Sequence, residues 1–116
     1  MHTFAVLSDP VRRRILEHLC VRDLSSGEVV SRVGKEFGIT QSAISQHLKV
    51  LRENRFAKVR ADGARRIYSL EPSGLEDVDR WLEPFRRFWE PKFAALAREV
   101  ERGNEKAEQD ESRTHQ

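Results

Sequence analysis

Apolar residues recur at intervals of three and four near the start of the chain, and this spacing predicts an amphipathic helix. The apolar stripe of this helix consists of Val11, Ile15, Leu16 and Leu19. Ser8 or Asp9 can cap the helix, and Pro10 suits its first turn, where a missing N–H costs nothing. Residues 3–7 form a short apolar segment that leads into it.

A second and a third helix follow, and only three residues separate them. Residues 25–28, with Ser followed three places later by Glu, have the pattern of a capping box. The helix that they begin carries Val29, Val30, Val33 and Phe37 at helical spacing. Gly38 can end it in the left-handed conformation, and Thr40 can cap the next helix. Two helices joined by so short a glycine-containing turn predict a helix-turn-helix.

The third helix has two faces of different chemistry. Ile44, Leu48 and Leu51 repeat at helical spacing and predict a buried stripe. The other side carries mostly short hydrogen-bonding residues, which are Gln41, Ser42, Ser45, Gln46 and Lys49. Such side chains can approach base edges in the major groove, so we interpret this side as the DNA-reading face. The alternative is a solvated helix that happens to lack acids, since Glu53 is the only acid between Thr40 and Asp62.

Beyond the third helix the pattern becomes alternating and predicts a β-hairpin whose two-residue turn is Asp62–Gly63. In that register Val59 pairs with Arg66. One face then carries Ala57, Val59, Tyr68 and Leu70, and the other carries Lys58, Arg60, Arg65 and Ile67. A hairpin that is rich in cations fits a wing placed against phosphates, and it follows the helix-turn-helix directly. The alternative is an edge strand that positive charge protects from aggregation.

The C-terminal part predicts one long helix, which begins at a second capping box, Ser73 to Glu76, and continues to about Glu101. Pro84 and Pro91 interrupt it and should kink or split it. Its stripe of large apolar residues is too wide for one short domain to cover, which predicts a dimer interface rather than a ligand cage. Residues 103–116 have almost no apolar side chains and are predicted to be a disordered polar tail, which leaves residues 1–102 as the DNA-binding and dimerisation domain.

Charge is divided unevenly along the 116 residues, whose net charge is +2. Residues 1–70 carry +6 and residues 71–116 carry −4, and a basic region of this kind attracts nucleic acid. Ordinary scatter of surface charge is the alternative. The single cysteine, Cys20, excludes an intrachain disulfide, and we prefer a buried or partly buried structural role for it over a sensor thiol. With no apolar run of about 20 residues and no signal peptide, we expect a soluble cytoplasmic protein that does not enter membranes.

Three segments, "LSDPVRRRILEHL", "ITQSAISQHLKVLREN" and "GARRIYSLEPSGLEDVDRWLEPFRRFWE", resemble the ArsR family of bacterial winged-helix repressors. The resemblance covers about residues 4–100 and is closest to the autorepressor-like branch, whose last helix carries a similar aromatic run, W-L-x-x-F/Y-R-x-F-W. It implies a mainly α fold with a small β-hairpin, a winged helix-turn-helix with a long C-terminal dimerisation helix, and a homodimeric repressor on an inverted-repeat operator of double-stranded DNA.

Two sets of residues carry these expectations. The candidate DNA-binding residues are Gln41, Ser42, Ser45, Gln46, His47, Lys49, Arg52, Lys58, Arg60, Arg65 and Arg66. The candidate dimer-interface residues are Phe4, Leu75, Val78, Trp81, Leu82, Phe85, Phe88, Trp89 and Phe93. Within the first set, His47 can either touch a phosphate or hold the helix in place by a side-chain hydrogen bond.

The chain departs from the family pattern in two ways. Members with a thiolate metal site carry a Cys-x-Cys pair where this chain has Ser25 and Gly27, and members with a site on the last helix use Asp and His, but no His lies between His47 and His115. We therefore predict no metal site and no cofactor. In addition, the helix before the turn is about four residues longer than usual.

Other functions remain open at this point. The repressor could respond to a metal at an atypical site, to an oxidant through Cys20, or to a small molecule among the aromatic residues. A winged-helix module that binds protein instead of DNA is a further alternative, although it predicts an acidic or apolar face where Ser42, Gln46 and Lys49 stand. An enzyme is the least expected class, because no cluster of titratable residues is placed for catalysis.

Overall fold

The helix-turn-helix, the hairpin and the long last helix predicted from the sequence are all present in the structure, a computed structural model. It describes residues 2–114, and the side chains of residues 2–109. In chain order the elements are α1 (Thr3–Leu7), α2 (Pro10–Val21), β1 (Leu24–Ser25), α3 (Ser26–Val29), a π-helical segment (Val30–Gly34), α4 (Lys35–Phe37), α5 (Gln41–Glu53), β2 (Ala57–Asp62), β3 (Arg65–Leu70) and α6 (Pro72–Thr114). The chain divides into two compact units between Arg80 and Trp81.

Side-chain caps set the starts of the helices that build the helix-turn-helix. Asp9 caps α2 by accepting the N–H of Val11 at 2.8 Å and that of Arg12 at 3.2 Å. Ser25 and Glu28 form the predicted capping box, in which each side chain accepts the backbone N–H of the other residue at 3.1 Å. These caps satisfy N–H groups that have no partner inside a helix, and they confirm the predicted helix starts.

The turn of the motif also follows the prediction. Gly38 ends α4 with a φ of 64°, and the Thr40 side chain accepts the N–H of Ala43 at 3.1 Å to begin α5. The helix before the turn is not α-helical throughout, because Val30–Gly34 is a π-helical segment. The helix therefore departs from α-helical geometry shortly before the turn of the motif. The extra length inferred from the family pattern stays a prediction.

The hairpin belongs to a three-stranded antiparallel sheet with strand order β1-β3-β2. The sequence did not predict β1, whose Leu24 and Ser25 pair with Tyr68 and Ile67. The predicted register was also wrong by two residues, because Val59 pairs with Tyr68 instead of Arg66. Gly63, with a φ of 61°, is thus the first central residue of the turn, and Ala64 is the second. A shift of two residues keeps every side chain on its predicted face.

The core of the first unit lies where the helices meet one face of the sheet. The predicted stripes of α2 and α5 are buried there, together with Leu24, Phe56, Ala57 and Tyr68. Ile67 is a correction to the predicted cationic face: it is only 5% exposed, although it lies on the opposite face of β3 from Tyr68 and outside this core. Pairing of β3 with β1 covers this position.

The last helix, α6, is continuous, and its start differs from the prediction. The Glu71 carboxylate accepts the N–H of Ser73 at 3.2 Å and its hydroxyl at 2.7 Å, so Glu71 caps the helix and the predicted Ser73 capping box is wrong. Pro84 and Pro91 lie inside the helix and do not split it. Both prolines are exposed, so water can bind the backbone groups that they leave unpaired.

Helix α6 continues through residues 103–114, where the composition predicted disorder. The last two positions of that predicted tail, 115 and 116, lie outside the described residues. The division of the chain at residue 102 stays a prediction. None of the helices in the described part of the chain is both long and apolar enough to cross a membrane.

Candidate nucleic-acid interface

The orientation of α5 is fixed by its buried side. Ile44, Leu48 and Leu51 are at most 2% exposed, which holds one side of the helix against the core. The predicted reading residues of α5 are exposed on the surface, and they are Gln41, Ser42, Ser45, Gln46 and Lys49. The structure therefore brings the predicted reading face together on one helix, and its contact with bases stays a prediction.

His47 lies half-buried between α5 and α2. The Nδ1 atom of His47 is 3.4 Å from Nη1 of Arg12. The Nε–H of the same arginine donates to the Val6 carbonyl at 2.8 Å. Arg12 also lies 3.8 Å from the Asp9 carboxylate. Of the two roles predicted for His47, these contacts favour the structural one, in which the side chain helps to hold α5 in place.

Two of the wing arginines have acidic partners on the same protein. Arg60 donates to Asp23 at 3.0 Å and to the Ser69 hydroxyl at 3.3 Å. The hydrogen bond from Arg60, supported by one with Ser69, holds the pKa of Asp23 below its ordinary value. Arg65 lies 3.6 Å from Glu28.

Glu28 connects the start of α3 to the wing. The hydrogen bond with the Ser25 backbone lowers the pKa of Glu28, and the charges of Arg22 and Arg65 act in the same direction. Arg22 donates to this carboxylate at 3.0 Å. The acids that balance the wing thus come from α3 and from the residue that precedes β1, on the side of the sheet that carries Arg60 and Arg65.

A concavity of about 280 Å³ separates α5 from β3. It is lined by Ser26, Ser45, Gln46, Leu48, Lys49, Arg52, Arg66 and Tyr68, a set with three cations and no acid. Lys58 lies elsewhere, in a shallower depression of about 390 Å³ that also contains Arg52, Arg55 and the acid Glu71. Arg52 lines both depressions and so connects them, whereas Arg60 and Arg65 line neither.

Several residues of this surface were missed by the sequence reasoning. Arg12 supports His47, Asp23 and Glu28 pair with the wing, and Ser26 and Tyr68 line the concavity. The sequence did contain a signal that Arg65 and Arg66 have different surroundings, because side chains alternate along β3 and these two neighbours lie on opposite faces. No local signal existed for Asp23 and Glu28, which reach the wing only because β1 pairs with β3.

The predicted dimer-interface residues of the second unit form an exposed aromatic row. Trp81, Phe85, Phe88 and Phe93 are 53%, 43%, 65% and 63% exposed, whereas Leu82 and Trp89 are half-buried. Successive rings contact each other along the helix, with centroids of Trp81 and Phe85 4.7 Å apart and those of Phe85 and Trp89 6.4 Å apart.

The predicted dimer-interface residues of the first unit differ in how exposed they are. Leu75 packs against the core of its own unit, Val78 is half-buried, and Phe4 is 38% exposed. Leu75 thus has a structural partner within the protomer, and the interface itself stays a prediction.

The candidate sensor residues do not converge. Cys20 is exposed, which corrects the prediction of a buried or partly buried thiol: it lies in the last turn of α2, beside the edge of the buried stripe. Among the side chains that the structure describes, no group of three or more His, Cys, Asp or Glu residues could hold a metal ion.

Comparison with known proteins identifies the family of this chain. The model of the bacterial regulatory proteins of the arsR family matches residues 9–59. The HTH-type transcriptional regulator Rv2034 of Mycobacterium tuberculosis is 35% identical over 95 residues, which cover 82% of each protein. The chain belongs to the ArsR family. The transcriptional repressor SdpR of Bacillus subtilis is 31% identical over 84 residues, or 72% of this chain and 89% of that protein.

Solved structures support the same assignment. The crystal structure of Rv0081 from Mycobacterium tuberculosis has a TM-score of 0.57 and 35% identity, and the match covers 78% of this chain and 88% of that one. As an ArsR-family member, the protein is a DNA-binding transcriptional regulator with a winged helix-turn-helix, and it is not an enzyme. The predictions of family, fold and non-enzymatic class are confirmed.

Proposed function

We propose that this ArsR-family regulator is a repressor that binds an inverted-repeat operator as a homodimer in the cytoplasm. The observation that carries the proposal is the surface of α5, where Ser42, Ser45, Gln46 and Lys49 are exposed opposite a fully buried stripe. Amide, hydroxyl and ammonium groups on the second helix of such a motif can read base edges in the major groove. An acidic or apolar face, which a protein-binding module would need, is absent from these four positions.

Dimerisation is supported by the exposed aromatic row of α6. Large aromatic side chains are the usual anchors of protein interfaces, and Trp81, Phe85, Phe88 and Phe93 are each more than two-fifths exposed. A two-fold symmetric dimer presents two recognition helices, so its operator would contain two inverted half-sites.

Repression is supported by likeness to SdpR, which is named as a transcriptional repressor. A dimer seated over promoter elements would block the polymerase without needing a cofactor. Metal-independent action stays a prediction, consistent with Ser25 and Gly27 at the positions where other members carry a thiolate pair.

The test is a gel-shift titration with the DNA upstream of the protein's own gene, in the presence of unlabelled competitor of unrelated sequence. We expect a saturable complex that survives the competitor, and footprinting should show two protected half-sites. Equal competition by unrelated DNA would contradict sequence-specific repression, and no binding even at low salt would favour the protein-binding alternative.

A second arm of this experiment tests metal dependence. The titration is repeated with chelator and then with micromolar Zn²⁺, Cd²⁺ or arsenite, and operator affinity should not change. A large, saturable loss of affinity that Cys20→Ser abolishes would establish the metal-responsive alternative instead.

A further inference from the structure

We propose that the concavity between α5 and β3 binds one phosphate of the DNA backbone through Arg52 and Arg66, whereas Arg60 and Arg65 hold the wing in position. The inference rests on the proposed function, because it takes DNA as the ligand. It divides the wing arginines, which the sequence had grouped together, into two roles.

The first argument is the direction of the side chains on β3. Successive residues of a strand point to opposite faces, so Arg66 and Tyr68 share one face while Arg65 and Ile67 share the other. The face of Arg66 and Tyr68 borders α5, since both residues line the concavity with Ser45, Gln46 and Lys49. Arg66 is therefore the wing arginine that adjoins the predicted reading face.

The second argument is the distribution of acids. Arg60 lies 3.0 Å from the Asp23 carboxylate, and Arg65 lies 3.6 Å from the Glu28 carboxylate. Within the described part of the chain, Arg52 and Arg66 form no ion pair and no side-chain hydrogen bond. The other cation of the concavity, Lys49, is 4.0 Å from Glu53, on the exposed side of α5. Arg52 and Arg66 thus keep their charge available for an anion.

The third argument is the Tyr68 side chain. Tyr68 as a whole is 7% exposed and belongs to the core. Its hydroxyl nevertheless makes no hydrogen bond with any described residue. No buried side-chain polar atom lacks a partner among the described residues, so this hydroxyl is not fully enclosed, and Tyr68 itself lines the concavity. A tyrosine hydroxyl in such surroundings usually meets a partner, and a phosphate oxygen can accept its hydrogen bond.

The lining favours a phosphate over an organic effector. Small-molecule pockets have mostly apolar walls. Leu48 is the only aliphatic residue among the eight that line this concavity, and three of the eight are cations. Two guanidinium groups and a hydroxyl suit an oxyanion, because charge-assisted hydrogen bonds to phosphate are strong and directional.

The test compares neighbouring arginines. Arg66→Ala, Arg52→Ala and Arg65→Ala are titrated with a fluorescein-labelled duplex of arbitrary sequence, by anisotropy over a range of salt concentrations. Each lost phosphate contact lowers the slope of log K against log salt by about 0.9. We expect that loss for Arg66→Ala and for Arg52→Ala, and no further loss in the double variant, because the proposed contact requires both guanidinium groups on the one phosphate.

Arg65→Ala is the matched control for a lost charge on the same strand. As a positioning residue, Arg65 should affect affinity without changing the slope, and Arg65→Lys should restore that affinity by keeping the pair with Glu28. Tyr68→Phe should weaken binding at an unchanged slope, because it removes a hydroxyl and no charge. An unchanged slope in Arg66→Ala, or an equal fall in Arg65→Ala, would overturn the division of roles.

A competition arm separates DNA phosphate from a free anion. Inorganic phosphate replaces chloride at constant ionic strength, and we expect no saturable displacement of the duplex; saturable displacement would identify a free-anion site and overturn the proposal. The gel shift on the upstream region decides the proposed function separately. Retained operator binding with equal slopes for all variants would contradict only the phosphate site, whereas wild-type protein that binds no DNA would contradict both.

Discussion

The ring of Phe56 lies directly over the Cα of Gly74, at the start of α6. A Cβ added at Gly74 would lie 2.8 Å from two ring carbons of Phe56, closer than real Cβ atoms approach. Phe56 is fully buried, and the Gly74 N–H donates to the Arg55 carbonyl at 2.8 Å. The backbone of α6 thus touches the core at a position where only glycine fits.

Gly74→Ala should therefore destabilise the protein, although alanine favours helices. Overpacking a fixed core position costs about 1–3 kcal/mol, and neither the buried ring nor the hydrogen-bonded backbone can move away easily. The free energy of unfolding, measured by urea titration, should fall by that amount.

Gly103→Ala is the control for helix propensity. Among the described residues, no atom beyond the adjoining helix backbone lies within 4 Å of a Cβ built at Gly103, and the residue is inside α6. Alanine should be neutral there or stabilise the helix by up to about 1 kcal/mol. If both variants changed stability alike, the contact between Phe56 and Gly74 would not be tight.

Arg55→Gly should stabilise the end of α5. Arg55 has a φ of 65°, a left-handed conformation that costs a non-glycine residue about 1 kcal/mol. Its exposed hydrogen bond to Ser73, at 3.2 Å, offsets little of that cost. Thermal unfolding should show a higher midpoint, and Gly38→Ala, at a φ of 64°, should show the reverse. A lower midpoint for Arg55→Gly would mean that the side chain contributes more than the strain costs.

Stability should depend on pH through Asp9. Burial of Asp9 opposes its charged form, but hydrogen bonds from the N–H groups of Arg12 and Val11 outweigh this effect and hold the pKa of Asp9 below its ordinary value. Because the folded pKa is the lower one, the carboxylate contributes fully above the unfolded pKa of about 3.9 and loses its contribution as pH falls through the folded value.

Asp9→Ala should therefore lower the free energy of unfolding by about 0.5–2 kcal/mol near neutral pH, the usual contribution of a helix cap, and by less in acid. Urea titrations of both proteins across pH 3 to 7 measure this difference. A gap between variant and wild type that stayed constant down to the lowest pH would rule out the charge of Asp9 as its source.

Gln46→Ala should weaken binding to the cognate operator by about 1–3 kcal/mol and relax the preference at one base position. Gln46 is exposed on α5 and also borders the concavity between α5 and β3. Affinities for a series of single-base operator variants measure the effect. An unchanged base preference would show that Gln46 does not read DNA.

Replacing Phe85 and Trp89 together by Gln should yield monomers or aggregates that bind the operator weakly. The two rings stack along α6, and Phe85 is 43% exposed, so an interface built on this row would lose its centre. Analytical ultracentrifugation gives the oligomeric state. A double variant that sedimented as a dimer would assign the interface to another surface.

The sequence predicted well the features that depend on residues a few positions apart. The Asp9 cap, the capping box of Ser25 with Glu28 and the left-handed Gly38 are all local, so their patterns were complete within a short window. The buried stripe of α5 followed in the same way from helical periodicity, and with it the exposed face of the candidate site.

Features that depend on distant partners were not predicted. Strand β1 exists only because Leu24 pairs with Tyr68, far along the chain, and two residues carry no periodicity of their own. The sequence also could not determine the hairpin register, since a shift of two residues leaves every side chain on the same face. The ion pairs of Arg60 and Arg65 depend on both features, so the roles within the wing needed the structure.

Ser25 has one further consequence for how the molecule opens. Its backbone pairs with Ile67 in β3, and its side chain caps the helix that leads into the turn of the helix-turn-helix. Detaching the wing from β1 would release this residue and loosen the cap at the same moment. The wing and the start of α3 therefore form one cooperative unit, and local opening of either should expose the amide hydrogens of both to exchange.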